Sequence, residues 1–187
     1  MNKIIAIVGM CGSGKSVASE YLENKLQYKK VYFGGVTMKK LQEENLEVNP
    51  ENEKMMREKL RKDLGMGAYA KVLLPEIKEL SKENNVVLDG LYSWTEYKIL
   101  LEEIPNLILI GVVADKSLRY SRLAEREYRP LTNLEAEKRD LAEIENIEKA
   151  PPIAYADYYI FNNGTIDEYI NRLNEILVNI NKNTEVK

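Results

Sequence analysis

Short, nearly unbroken apolar runs recur along the chain, separated by stretches with apolar positions three or four residues apart. Lys3-Ile4-Ile5-Ala6-Ile7-Val8 is the first run, and it reads as a strand buried on both faces. Lys30-Val31-Tyr32-Phe33, Val86-Val87-Leu88-Asp89, Leu107-Ile108-Leu109-Ile110-Gly111-Val112-Val113 and Tyr158-Tyr159-Ile160-Phe161 repeat the pattern. The seven-residue run is the most apolar and predicts a central strand. Between the runs, helical spacing predicts helices over about 36–46, 50–64, a further stretch to 80, 94–103, two charged helices on either side of Pro130, and 166–180. Gly34-Gly35 ends the second strand, and Asn49-Pro50 breaks one helix and opens the next. Alternating strand and helix signals predict an α/β fold: a five-stranded parallel sheet with helices on both faces, in one domain over 1–187. The gap between the second and third strands is longer than one crossover helix needs, so residues 34–80 read as a helical insertion. Residues 181–187 are polar and predicted to fray.

The segment joining the first strand to the first helix changes the picture. Gly9-Met10-Cys11-Gly12-Ser13-Gly14-Lys15-Ser16 fits G-x-x-x-x-G-K-[ST], the phosphate-binding P-loop. Glycines let the backbone curl so that N–H groups point at phosphate oxygens, and the following helix adds the positive end of its dipole. The expected nucleotide contacts are Gly9, Cys11, Gly12, Ser13, Gly14, Lys15, Ser16 and Val17. Lys15 is the residue that reaches the β- and γ-phosphates, and the Ser16 hydroxyl holds Mg²⁺. Strand, loop and helix follow in the required order. Cys11 occupies a free position of the pattern and is read as a small residue that fits.

Composition narrows the chemistry. Of the 187 residues 44% are apolar and 30% charged, as in ordinary globular proteins, and the net charge is −3. That balance argues against a long nucleic-acid footprint. No apolar run has the length of a membrane span, and the first strand leaves no room for a signal peptide. A single cysteine points to a reducing cytoplasm. There is no histidine, so catalysis must run on carboxylates, Lys and Arg, hydroxyls, backbone dipoles and an oxygen-held metal.

Three further features carry candidate chemistry. Asp89 ends the third strand, at the edge of the sheet where ligands bind in α/β folds; it is a candidate Mg²⁺ ligand or general base. Arg119, Arg122, Arg126 and Arg129 would form one basic stripe if they share a helix, and the 117–149 region reads as a lid. Arg122 and Arg126 are its candidates for stabilising transferred charge, with Arg139 on the next helix behind them. Lys54, Arg57 and Arg61 make a second stripe beside apolar Met56, Leu60 and Leu64. Arg57 and Arg61 are candidate acceptor-binding residues, as is Tyr92 just past the Asp89-Gly90 turn. Each stripe also fits an ordinary solvated helix face, and Trp94 and the other tyrosines fit packing.

Together these residues resemble the P-loop kinases of the nucleoside monophosphate kinase group, and dephospho-coenzyme A kinase in particular. The resemblance rests on the P-loop, on Val87-Leu88-Asp89-Gly90, on the arginine-rich 119–129 segment, and on Ala156-Asp157-Tyr158-Tyr159-Ile160-Phe161-Asn162-Asn163-Gly164-Thr165. The last stretch is similar to the "ADxxIxNxG" ending whose following loop helps seat adenine, which implies a nucleotide contact at Asn163. The chain is also similar to kinase-like proteins with the same P-loop, "DG" turn and ending. It departs from the group on the acceptor side: Phe33-Gly34-Gly35-Val36 lacks an acceptor-facing aspartate, and Asp89-Gly90-Leu91-Tyr92-Ser93 lacks the arginine of "DGxPR".

The resemblance implies the three-layer P-loop NTPase fold and an ATP- and Mg²⁺-dependent kinase for a small, nucleotide-like acceptor. Two other readings stay open. A nucleotide-hydrolysing switch would need N-K-x-D or D-x-x-G motifs, which this sequence does not supply. A nucleotide-binding protein without kinase activity is allowed by the glycine at position 35.

Overall fold

The computed structural model of the protein describes residues 2–185, the side chains of 183–185 excepted. Five strands, β1 (Ile4–Val8), β2 (Lys29–Tyr32), β3 (Val86–Asp89), β4 (Leu107–Val113) and β5 (Tyr158–Phe161), form one parallel sheet in the order β2-β3-β1-β4-β5. The nine helices of the described residues are α1 (Lys15–Leu26), α2 (Gly34–Glu43), α3 (Pro50–Leu64), α4 (Ala68–Ser81), α5 (Trp94–Glu103), α6 (Lys116–Glu125), α7 (Asn133–Ile147), α8 (Ala150–Ala154) and α9 (Ile166–Glu185).

Side chains alternate across the sheet, so each central strand feeds two cores. Ile4, Ala6 and Val8 of β1 join Val86, Leu88, Leu107 and Leu109 under the layer of α2, α3, α4 and α5. Ile5 and Ile7 join Val87, Ile110 and Val112 under α1 and α9. Burial on both faces explains why these strands are apolar without interruption. This is the three-layer α/β arrangement that the alternating pattern predicts.

Caps set the helix ends. The Asn49 side chain accepts from the Asn52 N–H at 2.9 Å, with Pro50 in the first turn of α3. Ser93 and Glu96 form a capping box at α5. Several boundaries differ from the sequence expectation. The glycines at 34 and 35 open α2 rather than only ending β2, and β2 lies one residue earlier. The five-residue α8, rich in proline, escapes a 3.6-residue pattern. The last helix continues through Glu185, because Leu173, Ile176, Leu177 and Ile180 anchor it on the sheet and its polar end extends that turn geometry. The end of the predicted frayed tail lies outside the described residues. No helix among the described residues is long and apolar enough to cross a membrane.

Candidate functional site

The P-loop leaves the C-terminal end of β1 and enters α1 at Lys15. Its carbonyls are tied down one after another. Met10 O accepts from Lys15 Nζ at 3.0 Å, and Cys11 O from an Arg119 guanidinium nitrogen at 2.9 Å. Ser13 O accepts from Asn162 Nδ2 at 2.8 Å, and Gly14 O from the Tyr169 hydroxyl at 3.0 Å. A loop whose carbonyls are held outward offers its N–H groups on the concave side, the arrangement that receives phosphate. Gly14 sits at φ 100°, and a Cβ there would run into the Asn162 amide. The buried Ser13 hydroxyl has no partner in the protein. Donors, glycine geometry and lysine therefore all fit a bound phosphate chain.

Burial, and after it the neighbouring Lys149 charge, lower the Lys15 pKa to about 8. Asp89 closes β3 opposite Ile7 of β1 and Tyr32 of β2. The buried Ser19 hydroxyl lies 3.1 Å from both Ser16 O and Asp89 Oδ2, so it links the first turn of α1 to this carboxylate. Among the described residues no three His, Cys, Asp or Glu side chains cluster as a metal cage. A hydroxyl at Ser16 and one carboxylate at Asp89 suit an ion that keeps most of its ligands from water and phosphate, as Mg²⁺ does.

The basic stripe does not form. α6 ends at Glu125, Arg126 turns extended, and Arg129 takes a left-handed backbone (φ 52°) before Pro130, which disfavours helix at the preceding residue. The four arginines separate. Arg119 is buried in a two-pronged pair with Asp140 of α7, at 3.1 and 2.5 Å. Arg122 donates to Asn162 O at 3.0 Å and keeps one buried nitrogen without a partner. Arg126 Nε donates to Arg129 O, and Arg129 crosses to Glu53 of α3 at 2.9 and 3.2 Å. Asn163 accepts from the Asp115 N–H at 3.0 Å, holding the turn after β5 to the start of α6.

A cleft of about 790 Å³ opens between α2, α3, the turn after β3, and α7. It gathers the three residues proposed from sequence for the acceptor, Arg57, Arg61 and Tyr92. Arg61 lies over the Tyr69 ring, 5.6 Å from its centre, and its buried Nε has no partner. Tyr69 is itself fixed by a 2.8 Å hydrogen bond with Thr37. Glu53 ties Arg57 and Arg129 into the cleft rim, and these cations hold its carboxyl below the usual range. A more open depression at the far end of α1, beside Tyr28 and Lys30, lies toward the N-terminal edge of the strands, away from the P-loop.

The helical face of α7 completes the site. Ala136, Asp140 and Glu143 are its buried positions. Asp140 leans on the P-loop through Arg119, and one turn further Glu143 receives both Arg139 Nε at 3.0 Å and Lys149 Nζ. Lys149, only 2% exposed, also lies 4.4 Å from the centre of the Tyr92 ring. The next-door Glu148 caps α5 by accepting from Thr95 N at 2.9 Å and Oγ1 at 2.7 Å.

Comparison with known proteins bears on the family and the fold. The profile of the AAA domain family matches residues 5–145. A UPF0200 protein of Sulfurisphaera tokodaii is 35% identical over 182 residues, covering 95% of this chain and 97% of that one. The chain belongs to the UPF0200 family. Its fold is similar to a gluconokinase from Sinorhizobium meliloti 1021, with TM-score 0.62, 14% identity and coverage of 98% and 96%. It is also similar to shikimate kinase from Bacteroides thetaiotaomicron, with TM-score 0.58, 12% identity and coverage of 93% and 96%. The fold is thus that of the P-loop kinases. The family relatives carry the UPF0200 name rather than that of dephospho-coenzyme A kinase.

Sequence reasoning missed Ser19, Glu143, Lys149 and Asn162. Ser19 sits one helical turn past Ser16, a spacing that marks it as facing the same way. Glu143 is four residues from Arg139, a pair readable from spacing alone. Nothing local in the sequence marks Lys149 as buried.

Proposed function

We propose that the protein is an ATP- and Mg²⁺-dependent phosphotransferase acting on a small nucleotide-like acceptor. One observation carries the reading: a preorganised P-loop opens beside a roomy, arginine-lined cleft on the acceptor side of the sheet. The backbone N–H groups of residues 9–17 cradle the donor phosphates, and Lys15 leaves Met10 O to pair with them. Ser16, with Asp89 as the candidate carboxylate, would hold Mg²⁺, which would supply charge neutralisation at the donor phosphates. Arg122 and Arg126 add positive charge from the α6 side. Arg57, Arg61 and Tyr92 orient the acceptor, and Asp89 either supports the ion or accepts the acceptor's hydroxyl proton. Asn163 stiffens the turn beside the adenine side. Rate enhancement then comes mainly from positioning and fixed charge. The single free cysteine suits a cytoplasmic setting.

The resemblance at residues 156–165 makes dephospho-coenzyme A the first acceptor to test. ATP consumption is measured against dephospho-coenzyme A, the ribo- and deoxynucleoside monophosphates, and small alcohols, with Lys15→Ala as control. Turnover with one acceptor class, lost in Lys15→Ala, is the expected result. Full activity in Lys15→Ala refutes the reading. ATP binding without turnover across the panel points instead to a nucleotide-binding protein.

A further inference from the structure

The group of charges between the P-loop and the cleft does not balance. Arg139 and Lys149 share the Glu143 carboxylate, one oxygen each, and the charges of Lys149, Glu143 and Asp89 all act on the buried Lys15. Cys11 from the loop, Tyr92 from the turn after β3 and Tyr32 at the end of β2 are further titratable neighbours. Excess positive charge in a desolvated place is costly unless an anion completes it. A lysine buried to 2% with a single shared carboxylate is an unusual way to fill space.

The position of Lys149 is also well determined. Glu148 before it is fixed by its bonds to Thr95, and Trp94 N donates to Glu148 O at 3.2 Å. Lys149 N donates to Glu143 O at 3.2 Å. Its ammonium rests over the Tyr92 ring, 4.4 Å from the centre. Glu143 stands one turn from Asp140, which reaches Cys11 through Arg119. Lys149 is therefore braced through its backbone, by an aromatic face and by a carboxylate, and two of these braces, Tyr92 and Glu143, line the cleft.

We infer that Lys149 is a second phosphate-contacting lysine of this site, held on Glu143 until the γ-phosphate of a bound nucleoside triphosphate takes over as its partner. Glu143 is then a positioning residue. It keeps Lys149 and Arg139 on the cleft side while the site is empty of anion and releases them on binding. This rests on the donor role of the P-loop proposed above and adds a second charge to it. The proximity of Lys149 also accounts for part of the lowered Lys15 pKa.

The test compares MgATP and MgADP binding by calorimetry in the wild type and in Lys149→Met, Lys149→Arg and Glu143→Gln, with thermal melts alongside. Losing one charge-assisted contact to the γ-phosphate weakens MgATP roughly tenfold or more in Lys149→Met. MgADP should change much less, and Lys149→Arg should keep most of the preference. Glu143→Gln removes the competing anion and should tighten MgATP. A folded Lys149→Met with an unchanged ATP-to-ADP preference overturns the inference. If Lys149→Met does not fold, equal or weaker MgATP binding in Glu143→Gln overturns it. Lysine NMR supplies a further readout: the Lys15 pKa should rise in Lys149→Met, and no rise counts against the assigned proximity. Undiminished nucleotide binding in Lys15→Ala would instead remove the P-loop reading itself.

Discussion

The P-loop is fixed by Arg119, Asn162 and Tyr169, which donate to its backbone, and all three of these residues are buried. The facing wall of α3 is fixed differently. Its links are ion pairs at the cleft rim, Arg129–Glu53 and Arg57–Glu53, in which each arginine is 40% exposed. Buried hydrogen bonds to backbone define a position tightly, since any departure strands a polar group. Exposed ion pairs hold loosely, because water and salt compete with them. The P-loop side is thus preformed and the α3 side adjustable. In the proposed function these are the donor and acceptor sides, so that a fixed donor cradle would face an adjustable acceptor wall.

Substitutions on the two sides should separate this difference. The largest effect is on turnover: Lys15→Ala should lower it by at least about a hundredfold with any acceptor. Its thermal melt should stay close to wild type, because among the described residues the Lys15 ammonium makes one hydrogen bond, to Met10 O. A large fall in melting temperature would show that the loop depends on Lys15 for its shape. Next comes stability on the donor side. Asp140→Ala leaves Arg119 buried without its partner and should cost about 3–5 kcal/mol in denaturant unfolding. A loss below about 1 kcal/mol would mean that the donor side is as loosely held as the rim.

Smaller effects belong to the acceptor side. Arg61→Met should raise the acceptor KM about tenfold while leaving the ATP KM in place. Equal changes in both would show that the two sides are not separate. A pH series sharpens the same point. Lys15 has a pKa of about 8 in the free protein. Bound phosphate favours its charged form and raises that value, so affinity is full below pH 8 and falls as pH rises beyond it. Calorimetry in buffers of differing ionisation enthalpy should show proton uptake above pH 8, and none near pH 6. The smallest effect is Arg129→Ala, expected to change stability by less than about 1 kcal/mol.

Legibility in the sequence follows the same division. β1, β3 and β4 were readable because burial on both faces demands unbroken apolar runs. The P-loop was readable because its backbone shape needs glycine at fixed spacing. Arg57, Arg61 and Tyr92 do reach one cleft, but the reason they meet is that α3, packed on α2 and α4, stands across the cleft from the turn after β3, which spacing does not express. The four-arginine stripe failed because one backbone turn at residues 126–130 redirects every side chain after it. Lys149 was invisible because its burial depends on Glu143 and Tyr92, which come from two other elements.

The anchors of the P-loop come from far along the chain. Arg119, Asn162 and Tyr169 are separated from their acceptors by 108, 149 and 155 residues. The eight-residue motif precedes all three anchors in the chain, so it is synthesised before the residues that hold its shape. A chain shortened before β5 would keep the motif and the first strand but lose two of the three remote anchors. Such contacts are slow to form, since long loops must close before they can act. The phosphate cradle is therefore one of the late products of folding, and a ligand that binds it reports on completion of the whole domain rather than on its N-terminal segment.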